Sequence, residues 1–147
     1  MNKKRVVSVA CLICGVPLFL ALGVWLIGTE RYAAVSAGVA LLSCVPVAVT
    51  FEKGKKSGRE LAVLAVLTAL TVVGRVIFAP VPGFKPVTAM TVIAGVAFGA
   101  EAGFMTGSMS ALISNIYFGQ GPWTPFQMAA WGFTGLLAGL LFSRRRN

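Results

Sequence analysis

VTAMTVIAGVAFGAEAGFMTGSMSALISNIYF, residues 87–118, is a run of 32 residues with a single charge, Glu101. As one helix it would extend about 48 Å at about 1.5 Å per residue. That is too long for a hydrocarbon core of about 30 Å. Split near Gly99-Ala-Glu101, it becomes two short helices. Charge decides between the two readings. With the amino terminus inside and the run split, residues 3–5, 53–59 and 144–146 all face the cytoplasm, and these hold ten of the 13 basic residues. Unsplit, Arg144-Arg-Arg146 would face outward, against the tendency of Lys and Arg to stay on the cytoplasmic side. The split reading predicts an all-α integral membrane protein of six transmembrane helices, two of them short, with both termini cytoplasmic.

Composition agrees with a bilayer setting. The 147 residues are 57% hydrophobic and 12% charged, with mean hydropathy +0.86; a soluble domain carries about 25% charged residues. Histidine is absent, and the four acids are Glu30, Glu52, Glu60 and Glu101. That inventory argues against catalytic triads, carboxylate dyads and histidine metal sites, and so against an enzyme or a resident cofactor. The net charge of +9 lies in short basic runs beside apolar segments, the pattern of topology signals rather than of a nucleic-acid surface. Cys11 and Cys14 have redox-motif spacing, but with Cys44 they lie inside apolar runs, where a thiol serves as small apolar filler.

Outward from the deciding run, residues 6–28 and 32–51 are long enough to span and pair as a hairpin through a turn at Thr29-Glu30-Arg31. A signal peptide is the competing reading of residues 1–28; the run is long for one and lacks a suitably placed small-x-small cleavage site. The expected organisation is a hairpin over residues 1–52, a basic cytoplasmic linker over 53–60, and a four-helix region over 61–147. In that last region, residues 61–79 and 128–142 are the outer apolar runs.

Two proline-rich breaks fall on the same face of this topology: residues 80–86, and Phe118-Gly-Gln-Gly-Pro-Trp-Thr-Pro-Phe-Gln127. Proline fixes φ and removes a donor, so each break stops a helix. The second is polar and aromatic, and reads as an outer loop closing over a ligand. Trp123 is expected to stack on or cover that ligand, with Asn115, Gln120, Gln127 and Arg75 as the nearest polar groups to orient it and Lys85 as a second cation. The competing reading is an interfacial turn with an aromatic anchor. Glu101 is expected at a cytoplasmic turn, and Arg75 within snorkelling reach of the outer surface.

Small residues recur every four positions at Gly95, Gly99, Gly103, Gly107 and Ala111, and again at Gly135 and Gly139 and at Ala65 and Ala69. Such stripes let membrane helices approach closely.

From Arg59 onward, over about residues 59–142, the chain resembles a substrate-binding S component of an energy-coupling factor (ECF) transporter. The resemblance rests on Arg59-Glu-Leu-Ala62, Val73-Gly-Arg75, Ala79-Pro-Val-Pro82 with Lys85-Pro86, and Gly119-Gln-Gly-Pro-Trp-Thr-Pro125. It implies capture of a vitamin or similar micronutrient outside the cell. It also implies docking to a membrane T component bearing two ATPases, since the chain has no G-x-x-x-x-G-K-[ST] phosphate loop of its own. Residues 61–79 then match the family's first helix, with Ala62, Ala65 and Ala69 on its partner-docking face. Residues 80–86 match its gating loop, and 119–126 the outer loop between its third and fourth helices. Family members usually continue with two further helices, whereas this chain has an extra pair before Arg59. A truncated or split protein, or a hairpin standing in for the missing pair, are the expectations left open. So is the substrate, for which cobalamin is one guess. The rival functions are a structural or assembly membrane protein and a small stand-alone carrier or channel using Arg75 and Glu101 as intramembrane charges.

Overall fold

The computed structural model describes residues 3–27, 31–52 and 58–142, and every regular element among them is a helix. Most of the basic linker (residues 53–57), Thr29, Glu30 and Arg144-Arg-Arg146 lie outside the described residues. Six helical rods result. The first joins α1 (Lys3–Ala10), a π-helical segment (Cys11–Gly15) and α2 (Val16–Ile27). The π segment sits just before Pro17, which cannot donate to the preceding turn; both are recognised causes of a local break in helical winding. Then follow α3 (Tyr32–Glu52), α4 (Gly58–Ile77), α5 (Pro86–Phe98), α6 (Ala100–Phe118) and α7 (Thr124–Phe142).

The deciding run divides at Gly99, into α5 of 13 residues and α6 of 19. Gly99 has φ 99°, a left-handed value that only glycine adopts without strain. Its N–H still donates to the Gly95 carbonyl at 2.9 Å while its own carbonyl accepts from Gly103 at 3.0 Å. One residue therefore closes one helix and opens the next. The last helix begins at Thr124, earlier than the apolar run suggests. Pro125 falls in its first turn, where a missing N–H leaves no intrahelical bond unmade. The loop before it is correspondingly short, residues 119–123.

Packing follows the small residues. A Cβ at Gly103 would stand 2.5 Å from the Gly135 carbonyl oxygen, and one at Gly139 2.5 Å from Cα of Ala100. Gly95 likewise meets the Gly135 carbonyl, and Gly107 the backbone of Trp131 and Gly132. Helices α5, α6 and α7 thus touch backbone to backbone, as small-residue stripes permit. Against α6 and α7 lies an apolar cluster that includes Leu12, Val16, Val35, Val39, Phe104, Met128 and Leu136. The amino-terminal hairpin is therefore part of the same core. Within it Phe19 lies on Gly38 and Val35 on Gly23, and Phe104 meets Phe133 edge-on at 5.4 Å.

Among the described residues, three helical segments are long and apolar enough to cross a membrane: Val6–Trp25, Gly58–Ile77 and Thr124–Phe142. Ala33–Leu42 and Pro86–Phe98 are shorter apolar segments. Large apolar side chains such as Leu70, Val73, Ile93, Ile116 and Leu141 face outward, which suits a lipid-facing surface.

Candidate functional site

At one end of the bundle the last turn of α4 carries Arg75. Chain direction then reverses through residues 78–85, held by bonds from the Phe78 N–H to the Gly74 carbonyl (3.0 Å) and from the Val81 N–H to the Phe78 carbonyl (3.0 Å). Phe84 folds back onto Phe78, ring centroids 4.8 Å apart. Lys85 precedes α5 in extended conformation, and Pro86 starts the helix, the position its fixed φ favours. The loop after α6 ends at the same level. Under residues 78–85 lies a cavity of about 190 Å³, lined by that loop together with Arg75, Val87, Phe118, Gln127 and Trp131. Both proline-rich breaks therefore do share one end of the bundle.

Arg75 organises the cavity floor. Its Nη1 donates to Ser114 Oγ and, at 2.8 Å, to Asn115 Oδ1. Ser114 Oγ in turn donates to the Ser110 carbonyl at 2.5 Å. Asn115, fully buried on α6, donates from Nδ2 to Gln127 Oε1 at 2.8 Å and to Thr124 Oγ1 at 3.1 Å. Thr124 Oγ1 also accepts the Gly121 N–H at 3.2 Å, so the network fastens the loop at residues 119–123 to the start of α7. One buried amide thus joins three helices through α4, α6 and α7. The guanidinium lies over two rings, 4.6 Å from the Phe118 centroid and 4.9 Å from that of Trp131, close enough for cation–π attraction.

Of the residues expected at the site, the structure gathers Arg75, Lys85 and Gln127 on the cavity wall and Asn115 directly behind them. Gln120 stands apart, its Nε2 folding back to donate to the Leu112 carbonyl of α6 at 2.9 Å. Trp123 is 57% exposed and does not line the cavity; its indole lies on Gly121. The aromatic wall is built instead from Phe78, Phe84, Phe118 and Trp131. None of these four was among the residues expected at the site, although Phe118 follows Ser114 and Trp131 follows Gln127 by four, a spacing that places each pair on one helix face.

Glu101 is buried in the first turn of α6, at the opposite end from the cavity, and its Oε1 has no hydrogen-bond partner among the described residues. Ala62, Ala65 and Ala69 lie together on one face of α4, and all three are exposed.

No curated protein and no solved structure matches the chain. A family model does, over residues 55–147, and that span includes the cavity, its Arg75–Asn115–Gln127 network and both proline-rich loops. This chain belongs to the ECF-type riboflavin transporter S component family.

Proposed function

We propose that this S component captures a flavin, riboflavin or a close derivative, in the cavity beneath residues 78–85. The observation that carries the reading is the pairing of four aromatic side chains with Arg75 and Gln127 around one cavity. A planar, carbonyl-bearing ring system needs flat apolar surfaces to stack on and a few fixed polar groups to orient it. Riboflavin, named in the description of the matched family, replaces cobalamin as the working substrate. At about 190 Å³ the cavity is smaller than the roughly 300–1,000 Å³ of typical ligand sites. Capture on this reading requires residues 78–85 to swing outward, with Gly83 (φ 76°) at the loop tip and Pro80, Pro82 and Pro86 stiffening its arms.

The ligand is then passed inward by a T component and two ATPases. The outward stripe of Ala62, Ala65 and Ala69 on α4 is the docking face for the T component. Both termini are cytoplasmic and the cavity end faces outside. Pro82 and Pro122 are exposed, so cysteines placed there in a background lacking Cys11, Cys14 and Cys44 report the orientation. An impermeant thiol reagent should label both in intact cells, and labelling only after the membrane is opened would reverse the topology.

Native mass spectrometry of the detergent-purified full chain tests the ligand assignment. A retained flavin mass, restored by added riboflavin after stripping, is expected. A folded chain that neither retains nor takes up any flavin would refute it.

A further inference from the structure

Two cations, Arg75 and Lys85, line the cavity, and none of its lining residues is acidic. The hydrogen bonds of Arg75 go to neutral oxygens only, those of Ser114 and Asn115, and both come from Nη1. Nη2 and Nε therefore keep three N–H donors with no acceptor among the described residues. A guanidinium held this way, half-buried between Phe118 and Trp131, is a charge without a counter-charge. Removing a charge from water is unfavourable unless a partner compensates it, and charges at membrane depth mark functional sites. Aromatic faces and neutral amides offset part of this, but neither supplies a full negative charge.

Lys85 makes the arrangement two-sided. It sits, exposed, where the loop meets α5, and lines the same cavity as Arg75. Its ammonium is a point charge on a flexible stem, whereas the guanidinium offers a planar fork that matches the oxygens of a phosphate or carboxylate. Hydrogen bonds to such an anion are roughly twice as strong as neutral ones. A neutral vitamin would use one or two of these donors and leave both positive charges uncompensated.

We infer that the cavity holds an anionic group of its ligand between Arg75 and Lys85, and that it prefers a flavin phosphate ester to riboflavin itself. The inference rests on the flavin reading of this cavity and specifies which chemical form it selects. Arg75 meets the anion from the floor through its fork, and Lys85 meets it from the loop, so the bound anion also ties the loop shut. Because Lys85 is exposed, its share of the attraction is screened by salt.

The test is titration of the detergent-purified, ligand-stripped full chain with riboflavin and with riboflavin 5′-phosphate, followed by flavin fluorescence. The ester should bind at least tenfold tighter, and the ratio of the two Kd values should shrink as potassium chloride is raised. Lys85→Gln, at an exposed position, should bring that ratio towards one whatever it does to riboflavin alone; Arg75→Gln should do the same where its melting curve shows it folded. Riboflavin bound as tightly as its phosphate, with a ratio indifferent to Lys85→Gln, overturns the inference while leaving the flavin site standing. Binding of neither compound overturns both. Added phosphatidylglycerol tests the other source of phosphate. If it displaces the ester from the parent chain but not from Lys85→Gln, the anion site belongs to a lipid headgroup and the assignment to the ligand falls.

Discussion

Arg75 near the end of α4 and Asn115 near the end of α6 are joined by a 2.8 Å hydrogen bond, and the same Asn115 amide reaches Gln127 on α7 at 2.8 Å. The amide therefore accepts on one side and donates on the other, and no smaller apolar residue can do both. Asn115→Ala should leave Arg75, Thr124 and Gln127 each short of a partner. Each unpaired buried group costs about 1–3 kcal/mol, so a lower melting temperature and a five- to 150-fold loss of ligand affinity are expected together. Gln127→Ala removes one bond of the set and should produce the smaller effect of the two. Thermal unfolding and ligand titration on both variants check the order; equal effects would mean that Asn115 is not the hub.

The backbone contact of α6 with α7 makes a separate prediction. With the Gly135 carbonyl 2.5 Å from where a Cβ on Gly103 would stand, Gly103→Leu must force the helices apart. Overpacking of well-packed sites costs about 1–3 kcal/mol and more where backbone blocks the way. The variant should lose its monodisperse peak in detergent. Gly58→Ala has open space around its Cβ and should behave as the parent.

A docking role for α4 predicts a split between binding and uptake. Ala65 and Ala69 face outward, so Ala65→Trp and Ala69→Trp add bulk without disturbing the cavity. Both should abolish co-purification with a T component and cellular uptake while ligand Kd stays within about threefold, roughly 0.65 kcal/mol. Normal uptake in both variants would remove the docking face from the account.

Much of this was legible in the chain because it depends on local rules. The division at Gly99 follows from a run too long to span once and a residue free to take φ 99°. The shared end of the two proline-rich loops follows from the number of helices between them. Asn115, Gln127 and Arg75 stood out as polar groups in apolar runs, and all three belong to one network. What was not legible depends on contacts between distant residues. Trp131 reads as one aromatic in an apolar helix until α4 brings Arg75 to its face at 4.9 Å. Trp123, the more conspicuous tryptophan in its proline-rich setting, turns onto Gly121 instead. The start of α7 was also hidden, since Pro125 breaks a helix interior but fits a first turn.

The two tryptophans give the most direct test of the central claim, that the ligand lies in the cavity between Arg75, Phe118 and Trp131. Riboflavin is titrated into the ligand-stripped parent chain, Trp131→Ala and Trp123→Ala, with Kd and melting temperature measured on each. Trp131→Ala deletes a wall of the cavity and should weaken binding at least tenfold, about 1.4 kcal/mol. Trp123→Ala, in the loop between α6 and α7, should lower stability modestly and leave Kd within about threefold. A Trp131→Ala chain that binds as the parent does, or a Trp123→Ala chain that alone loses binding, would place the ligand outside this cavity and contradict the account.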